Sequence, residues 1–164
     1  MQDNRSLPLG VYSPVVTPFN DDLTVNSDKL INQCKWLLSQ DVGLAIFGTN
    51  SEANSLSVDE KIFLLDKLID HGVAPDKLMP GTGCCAITDT IKLTKHAVKL
   101  GCSGVLMLPP FYYKTVDDAG LFNYFSNVIE SVNDDRLRIY LYHIPPIAMV
   151  GVSSVKKEES FNVV

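Results

Sequence analysis

No apolar run in these 164 residues approaches the ~18 that a membrane-spanning helix needs; the longest lie at residues 42–48 and 144–152. The polar start, Met1-Gln2-Asp3-Asn4-Arg5-Ser6, has no apolar stretch behind a basic one, so it does not read as a signal peptide. Basic charge is scarce as well. No Lys/Arg run exceeds the pair Lys156-Lys157, and the net charge is −5, a balance that repels phosphate backbones and argues against nucleic-acid binding. The four cysteines, Cys34, Cys84, Cys85 and Cys102, contain no C-x-x-C pair and no matching ligand spacing elsewhere. That argues against a metal centre and, without a secretory signal, against a disulfide framework. The expectation is a soluble cytoplasmic protein with no metal, no cofactor, no membrane and no nucleic-acid partner.

The chain is 46% hydrophobic and 20% charged, a globular composition, and its length fits a single domain over residues 1–164. Five strand-like segments recur, starting near Val11, Gly43, Leu78, Gly104 and Arg138. Helical patterns separate them. Residues 27–40 place Leu30, Ile31, Cys34, Leu37 and Leu38 at helical spacing behind a Ser27 cap. Ser57-Val58-Asp59-Glu60 forms a capping box for a helix towards Asp70. Thr88 to Leu100 follows, closed by Gly101 in a left-handed conformation. Thr115-Val116-Asp117-Asp118 caps a helix bearing Leu121, Tyr124, Phe125, Val128, Ile129 and Val132, with Gly120 in its interior at a cost of ~1 kcal/mol.

Alternating strands and helices predict a parallel sheet covered by helices, either a barrel or an open doubly wound sheet. The period of roughly 30 residues per unit is that of a (β/α)8 TIM barrel of about 250 residues. On that scale the chain holds about the first five βα units, and a sixth strand falls near residue ~170. Residues 153–164 lose the periodicity and read as a tail.

Gly81-Thr82-Gly83-Cys84-Cys85-Ala86 matches the G-x-G-x-x-A dinucleotide fingerprint, after a strand and before a helix. It lies on the third strand rather than the first. The next strand ends in Leu108-Pro109-Pro110, without the acidic residue that holds ribose hydroxyls. A tight rim turn is the plainer reading, with a nucleotide-binding module as the alternative.

Small, hydroxyl-bearing and phenolic residues gather where strands hand over to helices, the rim that carries barrel active sites: Gly48-Thr49-Asn50-Ser51-Glu52, Gly81-Thr82-Gly83, Pro109-Pro110-Phe111-Tyr112-Tyr113-Lys114 and Tyr142-His143-Ile144-Pro145. Residues 10–19 and three of these features resemble, in order, four motifs of the dihydrodipicolinate synthase / N-acetylneuraminate lyase family of pyruvate-dependent class I aldolases. They are the opening strand, the G-T-T-G-E signature followed by Ser55-Leu56-Ser57, the P-x-Y motif and the Y-[NH]-x-P motif. The likeness runs from about residue 10 to residue 152.

The resemblance implies a lyase or aldolase. It makes or breaks a carbon–carbon bond, with an aldehyde as second partner, through a Schiff base between a sixth-strand lysine and pyruvate or another 2-oxo acid. The protonated imine acts as an electron sink. By motif, Tyr142 shuttles the proton. Thr49 links it to a second tyrosine, Tyr112, which in the family comes from a neighbouring subunit, so a homo-oligomer, dimer or tetramer, is expected. Gly48 and Asn50 fall in the substrate-binding loop. No lysine of residues 1–164 matches the Schiff-base position, since Lys156 and Lys157 follow Tyr142 by about half a period. The chain alone is therefore expected to be an inactive fragment with exposed barrel edges, or else a non-catalytic interaction subunit. Asn50 stands for a threonine, Ser51 for a glycine, and Ile147 for the arginine that grips the second substrate of dihydrodipicolinate synthases. His143 is expected to point away from the face of Tyr142, and His71 and His96 to be ordinary surface residues.

Overall fold

The computed structural model describes residues 10–148; the tail expected at 153–164 lies outside them. Four short strands run parallel: β1 (Tyr12–Pro14), β2 (Gly43–Ala45), β3 (Val105–Met107) and β4 (Ile139–Leu141). β1 pairs with β2 and β3 with β4, with Tyr12 opposite Gly43 and Val105 opposite Ile139. The expected third strand lies between the two pairs and joins them through the single parallel bridges Leu44–Leu78 and Gly81–Leu106.

Pro80 explains why this segment bridges to β3 without laddering. Met79 and Gly81 donate to Leu44 and Ile46 of the β2 side at 2.9 and 2.7 Å. On the β3 side the Leu106 amide donates to the Pro80 carbonyl, also at 2.9 Å. The Thr82 amide donates back to the Leu106 carbonyl at 3.0 Å. One pair earlier, opposite Gly104, the amide that would donate belongs to residue 80, and proline has none. The five segments therefore follow one another in chain order. A doubly wound sheet reverses direction at a switch point, whereas a barrel advances strand by strand. The architecture is a partial (β/α)8 barrel that has not closed.

Four long helices alternate with these segments: α1 (Ser27–Leu38), α2 (Val58–Asp70), α3 (Ile87–Leu100) and α4 (Asp118–Val132). A short α5 (Pro145–Ala148) begins on two prolines, residues that fit a first helical turn because its amides have no intrahelical acceptor. The capping box of α2 forms as expected, with the Ser57 amide on Glu60 Oε2 at 2.8 Å and the Glu60 amide on Ser57 Oγ at 3.2 Å. Gly101 closes α3 at φ 84°.

Two caps differ from the sequence reading. Asn26, not Ser27, caps α1, because its Oδ1 reaches the Lys29 amide at 2.9 Å. Asp117, not Thr115, caps α4 and accepts from the Gly120 amide at 2.7 Å. Gly120 therefore sits in the first turn rather than the interior, where its amide is already satisfied by the cap.

The core lies between the sheet and the helices. Val15, Leu44, Ile46, Leu78, Val105, Met107 and Ile139 face outward from the sheet and are buried. They meet Leu30, Ile31 and Cys34 of α1, Leu64 and Leu68 of α2, Ala97 of α3, and Leu121, Phe125 and Val128 of α4. Each fully buried Leu or Phe contributes ~1.5–3 kcal/mol. The alternate strand residues face the barrel interior. There large rings sit over glycines: a Cβ on Gly43 would come within 2.5 Å of the Tyr12 ring, and one on Gly104 within 2.6 Å of the Tyr140 ring.

Candidate functional site

The loop after β2 is the most constrained part of the rim. Phe47 and Glu52, both non-glycine, hold φ of 57° and 55° on either side of a tight 3-10 turn, Thr49–Ser51. Such left-handed residues are uncommon outside glycine, asparagine and aspartate and are kept only where neighbours over-determine them. The neighbours are identifiable. The Gly48 carbonyl accepts from the amides of Ser51 and Ala53, at 3.0 and 3.2 Å. Thr17, buried at the end of β1, donates its hydroxyl to the Ser51 carbonyl at 2.8 Å. Gly48 is buried, Thr49 half-buried and Asn50 exposed, so the loop offers Thr49 and Asn50 outward. Ser51 is fully enclosed, and its Oγ has no hydrogen-bond partner.

The loop after β3 carries Tyr112 at 74% exposure, its ring edge-on to Tyr113 with centroids 5.5 Å apart. Lys114 fastens this loop, donating to the Phe111 carbonyl at 2.6 Å and reaching the Ile147 carbonyl of α5 at 3.4 Å. Tyr142 follows β4, its amide bonded to the Met107 carbonyl at 2.9 Å. Thr49, Tyr112 and Tyr142 thus share the rim at the carboxyl ends of the strands. Among the described residues no hydrogen bond links their hydroxyls to one another.

Tyr140 lies two residues before Tyr142 and so on the same face of β4. Its hydroxyl is buried without a partner, and burial pushes the phenol up, with Tyr12 adding to the effect and Arg138 opposing it. Sequence reasoning passed over Tyr140 and Thr17. The strand period of two was the available signal for the first; the second depends on a contact 34 residues away.

The glycines of the fingerprint-like turn are accounted for by packing. A Cβ on Gly81 would run into the Phe47 carbonyl, and one on Gly83 would lie 2.5 Å from the Leu108 amide nitrogen. Both absences of a side chain serve the approach of neighbouring backbones.

The histidines divide. His143 is exposed. His71 ends α2, its Nδ1 2.8 Å from the Lys67 carbonyl. His96 is not an ordinary surface residue: its side chain is 21% exposed and Nε2 lies 2.7 Å from Asp66 Oδ1, tying α3 to α2. Cys34 is fully buried, and its thiol is pushed up to about 12 by burial. No group of three or more His, Cys, Asp or Glu side chains among the described residues could hold a metal ion, and no described helix is long and apolar enough to cross a membrane.

Solved structures of similar shape include dihydrodipicolinate synthases and an aldolase. The crystal structure of dihydrodipicolinate synthase from Agrobacterium tumefaciens superposes with a TM-score of 0.84 at 33% identity, over 88% of this chain and 50% of that one. A 2-keto-3-deoxygluconate aldolase variant from Sulfolobus solfataricus gives 0.81 at 25% identity, over 92% and 50%. In sequence, an uncharacterised DapA-like lyase of Chloroflexus aurantiacus is 35% identical over 148 residues, 89% of this chain and 49% of its own length. The 4-hydroxy-tetrahydrodipicolinate synthase of Desulforamulus reducens is 33% identical over 82% of this chain and 45% of its own. The chain spans about half the length of the curated relatives it matches. The profile of the dihydrodipicolinate synthetase family covers residues 7–156, and with the relatives above it establishes that the chain belongs to that family.

Proposed function

We propose that this chain contributes the tyrosine-bearing half of the rim to a class I aldolase or lyase that handles pyruvate or another 2-oxo acid as a Schiff base. The observation that carries the reading is the shared placement of Thr49, Tyr112 and Tyr142 at the carboxyl ends of parallel strands, in a family whose E. coli prophage member has been crystallised with pyruvate. Tyr142 acts as the proton shuttle beside the imine carbon. A free phenol titrates near 10 and needs a hydrogen-bonded partner to move protons at neutral pH. Thr49 supplies that relay, and Tyr112, projecting into solvent, reaches the site of a neighbouring copy. The turn Thr49–Ser51 offers its amides and the Asn50 side chain to the substrate carboxylate. Ile147 offers no charge for a second carboxylate. The reading therefore favours a different electrophile from the one used in dihydrodipicolinate synthesis, such as the aldehyde of a sugar-acid cleavage. The imine-forming lysine belongs to the part of the family fold that residues 1–164 do not span.

Borohydride reduction in the presence of pyruvate tests this, on the chain alone and on the chain joined to the lysine-bearing half of the Chloroflexus relative. The chain alone should take up no adduct. The joined protein should gain a reduced pyruvyl-lysine, and Tyr142→Phe in it should keep the adduct while losing ~10²-fold or more in turnover. A folded joined protein that forms no adduct sinks the proposal.

A further inference from the structure

The turn between the third segment and α3 carries two adjacent cysteines that the proposed rim chemistry does not use. The Cys84 backbone is held at both of its polar groups, which lie in successive peptide units. Its amide donates to Thr90 Oγ1 at 2.9 Å, and its carbonyl accepts from Tyr124 Oη at 3.0 Å. Thr90 Oγ1 also reaches the carbonyl at 3.3 Å. Thr90 and Tyr124 are themselves 2.7 Å apart, so α3, α4 and the turn meet at this peptide. Both thiols are half-buried and reduced.

Lys61 reaches the same place from the first turn of α2. It is 4% exposed and has no hydrogen-bond or ion-pair partner among the described residues. Burial pushes its amine down, against the opposing pull of Cys84 and Asp89. Burial pushes the Cys84 thiol up, Lys61 works against that, and Asp89 and Cys85 add to it. The Tyr124 phenol is pushed up to about 12, first by burial, with Thr90 opposing and both thiols adding. Three helices and one turn thus bring an amine, two thiols, a phenol and a carboxylate together. The Lys61 side chain is enclosed. Its amine has no partner among the described residues and is not one of the atoms cut off from solvent, and such an amine near a thiol can take up that thiol's proton.

We propose that Cys84 and Cys85 form a redox modification site that reacts with a low-molecular-weight disulfide and closes to a vicinal disulfide, with Lys61 as the base. Cys85 gives up its proton to solvent and attacks one sulfur of the small disulfide. That S–S bond breaks and the first small thiolate leaves, picking up a proton. Lys61 takes the Cys84 proton, and the Cys84 thiolate attacks the Cys85 sulfur. The second small thiol leaves with the proton that Lys61 returns. Two protein thiols lose two electrons and two protons, and the small disulfide is reduced to two thiols.

The linkage is reversible by construction. Adjacent Cα atoms lie about 3.8 Å apart across a trans peptide, below the usual disulfide range of about 4.4–6.8 Å. A strained bridge of this kind is easily reduced and fits a regulatory role rather than a structural one. Turning both sulfurs to one side twists the peptide that Thr90 and Tyr124 hold, so closure releases at least one of those bonds and loosens the start of α3.

The test equilibrates the whole 164-residue chain with glutathione redox buffers and follows intact mass, non-reducing peptide maps and amide exchange. The expected product is lighter by two hydrogens, with Cys84 and Cys85 both protected from alkylation and both recovered on adding dithiothreitol. Amide exchange at Cys84 and in the first turn of α3 should quicken in that product, a wild-type readout that needs no variant. Cys84→Ser should stop at a glutathione adduct on Cys85. Lys61→Met should let that adduct accumulate by slowing ring closure ~10²-fold. A chain that keeps four free thiols in every buffer overturns the proposal, as does a stable glutathione adduct beside a reduced Cys84. Closure at an unchanged rate in a folded Lys61→Met variant removes Lys61 from the mechanism.

Discussion

Thr17 shows how one hydroxyl can govern a loop it does not belong to. Its bond to the Ser51 carbonyl is buried and joins positions far apart in sequence. Thr17→Val keeps the shape but leaves a buried carbonyl unpaired, a cost of ~1–3 kcal/mol. Urea unfolding should show a lower midpoint with an unchanged slope, and Thr17→Ser should recover most of the loss. Lys61 makes a different residue-scale case. Its amine is held below the ordinary value of 10.5, so across the interval between the folded and unfolded values the unfolded chain binds more protons. Stability from this group therefore rises with pH through that interval, and the penalty of burying the charge is fully present below the folded value. Lys61→Met should be more stable than the parent at neutral pH, by a margin that shrinks towards pH 10.5. Tyr124, raised by burial, acts in the opposite sense at alkaline pH and cancels when the two proteins are compared at each pH, whereas the Cys84 thiol, which Lys61 holds down against burial, is compared in a Cys84→Ser background. A margin independent of pH would contradict this account of Lys61.

At the scale of elements, the parts legible in sequence are those whose cause is local. The capping box at Ser57 and Glu60 needs residues three apart, and it forms as read. Ser57→Ala should lower stability by ~0.5–2 kcal/mol in a thermal melt, while Ser27→Ala, one position inside α1, should change little because Asn26 carries that cap. The cap at Asn26 was hidden because Asn26 and Ser27 are both good capping types and only the backbone entering α1 chooses between them. The third segment was legible as a strand from its apolar run, yet its broken ladder follows from one missing amide at Pro80. The rim motifs were legible because Thr49, Tyr112 and Tyr142 each follow a recognisable apolar run. The cluster around Lys61 was not, since its burial arises where α2 and α3 pack, and a lysine in an amphipathic helix reads as solvated until that neighbour is in place.

For the whole molecule, the difference between the two faces of the sheet is the dominant fact. The outer face is sealed by four helices, and its strand residues are almost entirely buried. On the inner side Pro14 is exposed, Tyr12 is half-exposed and Val16 is 50% exposed. Among the described residues β1 pairs only with β2, and β4 only with β3. Each therefore presents a row of backbone amides and carbonyls along one edge, the arrangement that recruits another strand. Apolar surface next to an open edge favours association over a free monomer. The net charge of −5 opposes this by weak mutual repulsion, which salt screens over about 10 Å at 0.1 M. The isolated chain should sediment as a concentration-dependent mixture, its weight-average mass rising with protein concentration and rising further as salt is added. A single species of monomer mass, unchanged by concentration or salt and melting cooperatively, would mean that the edges and the inner face are covered from within the chain.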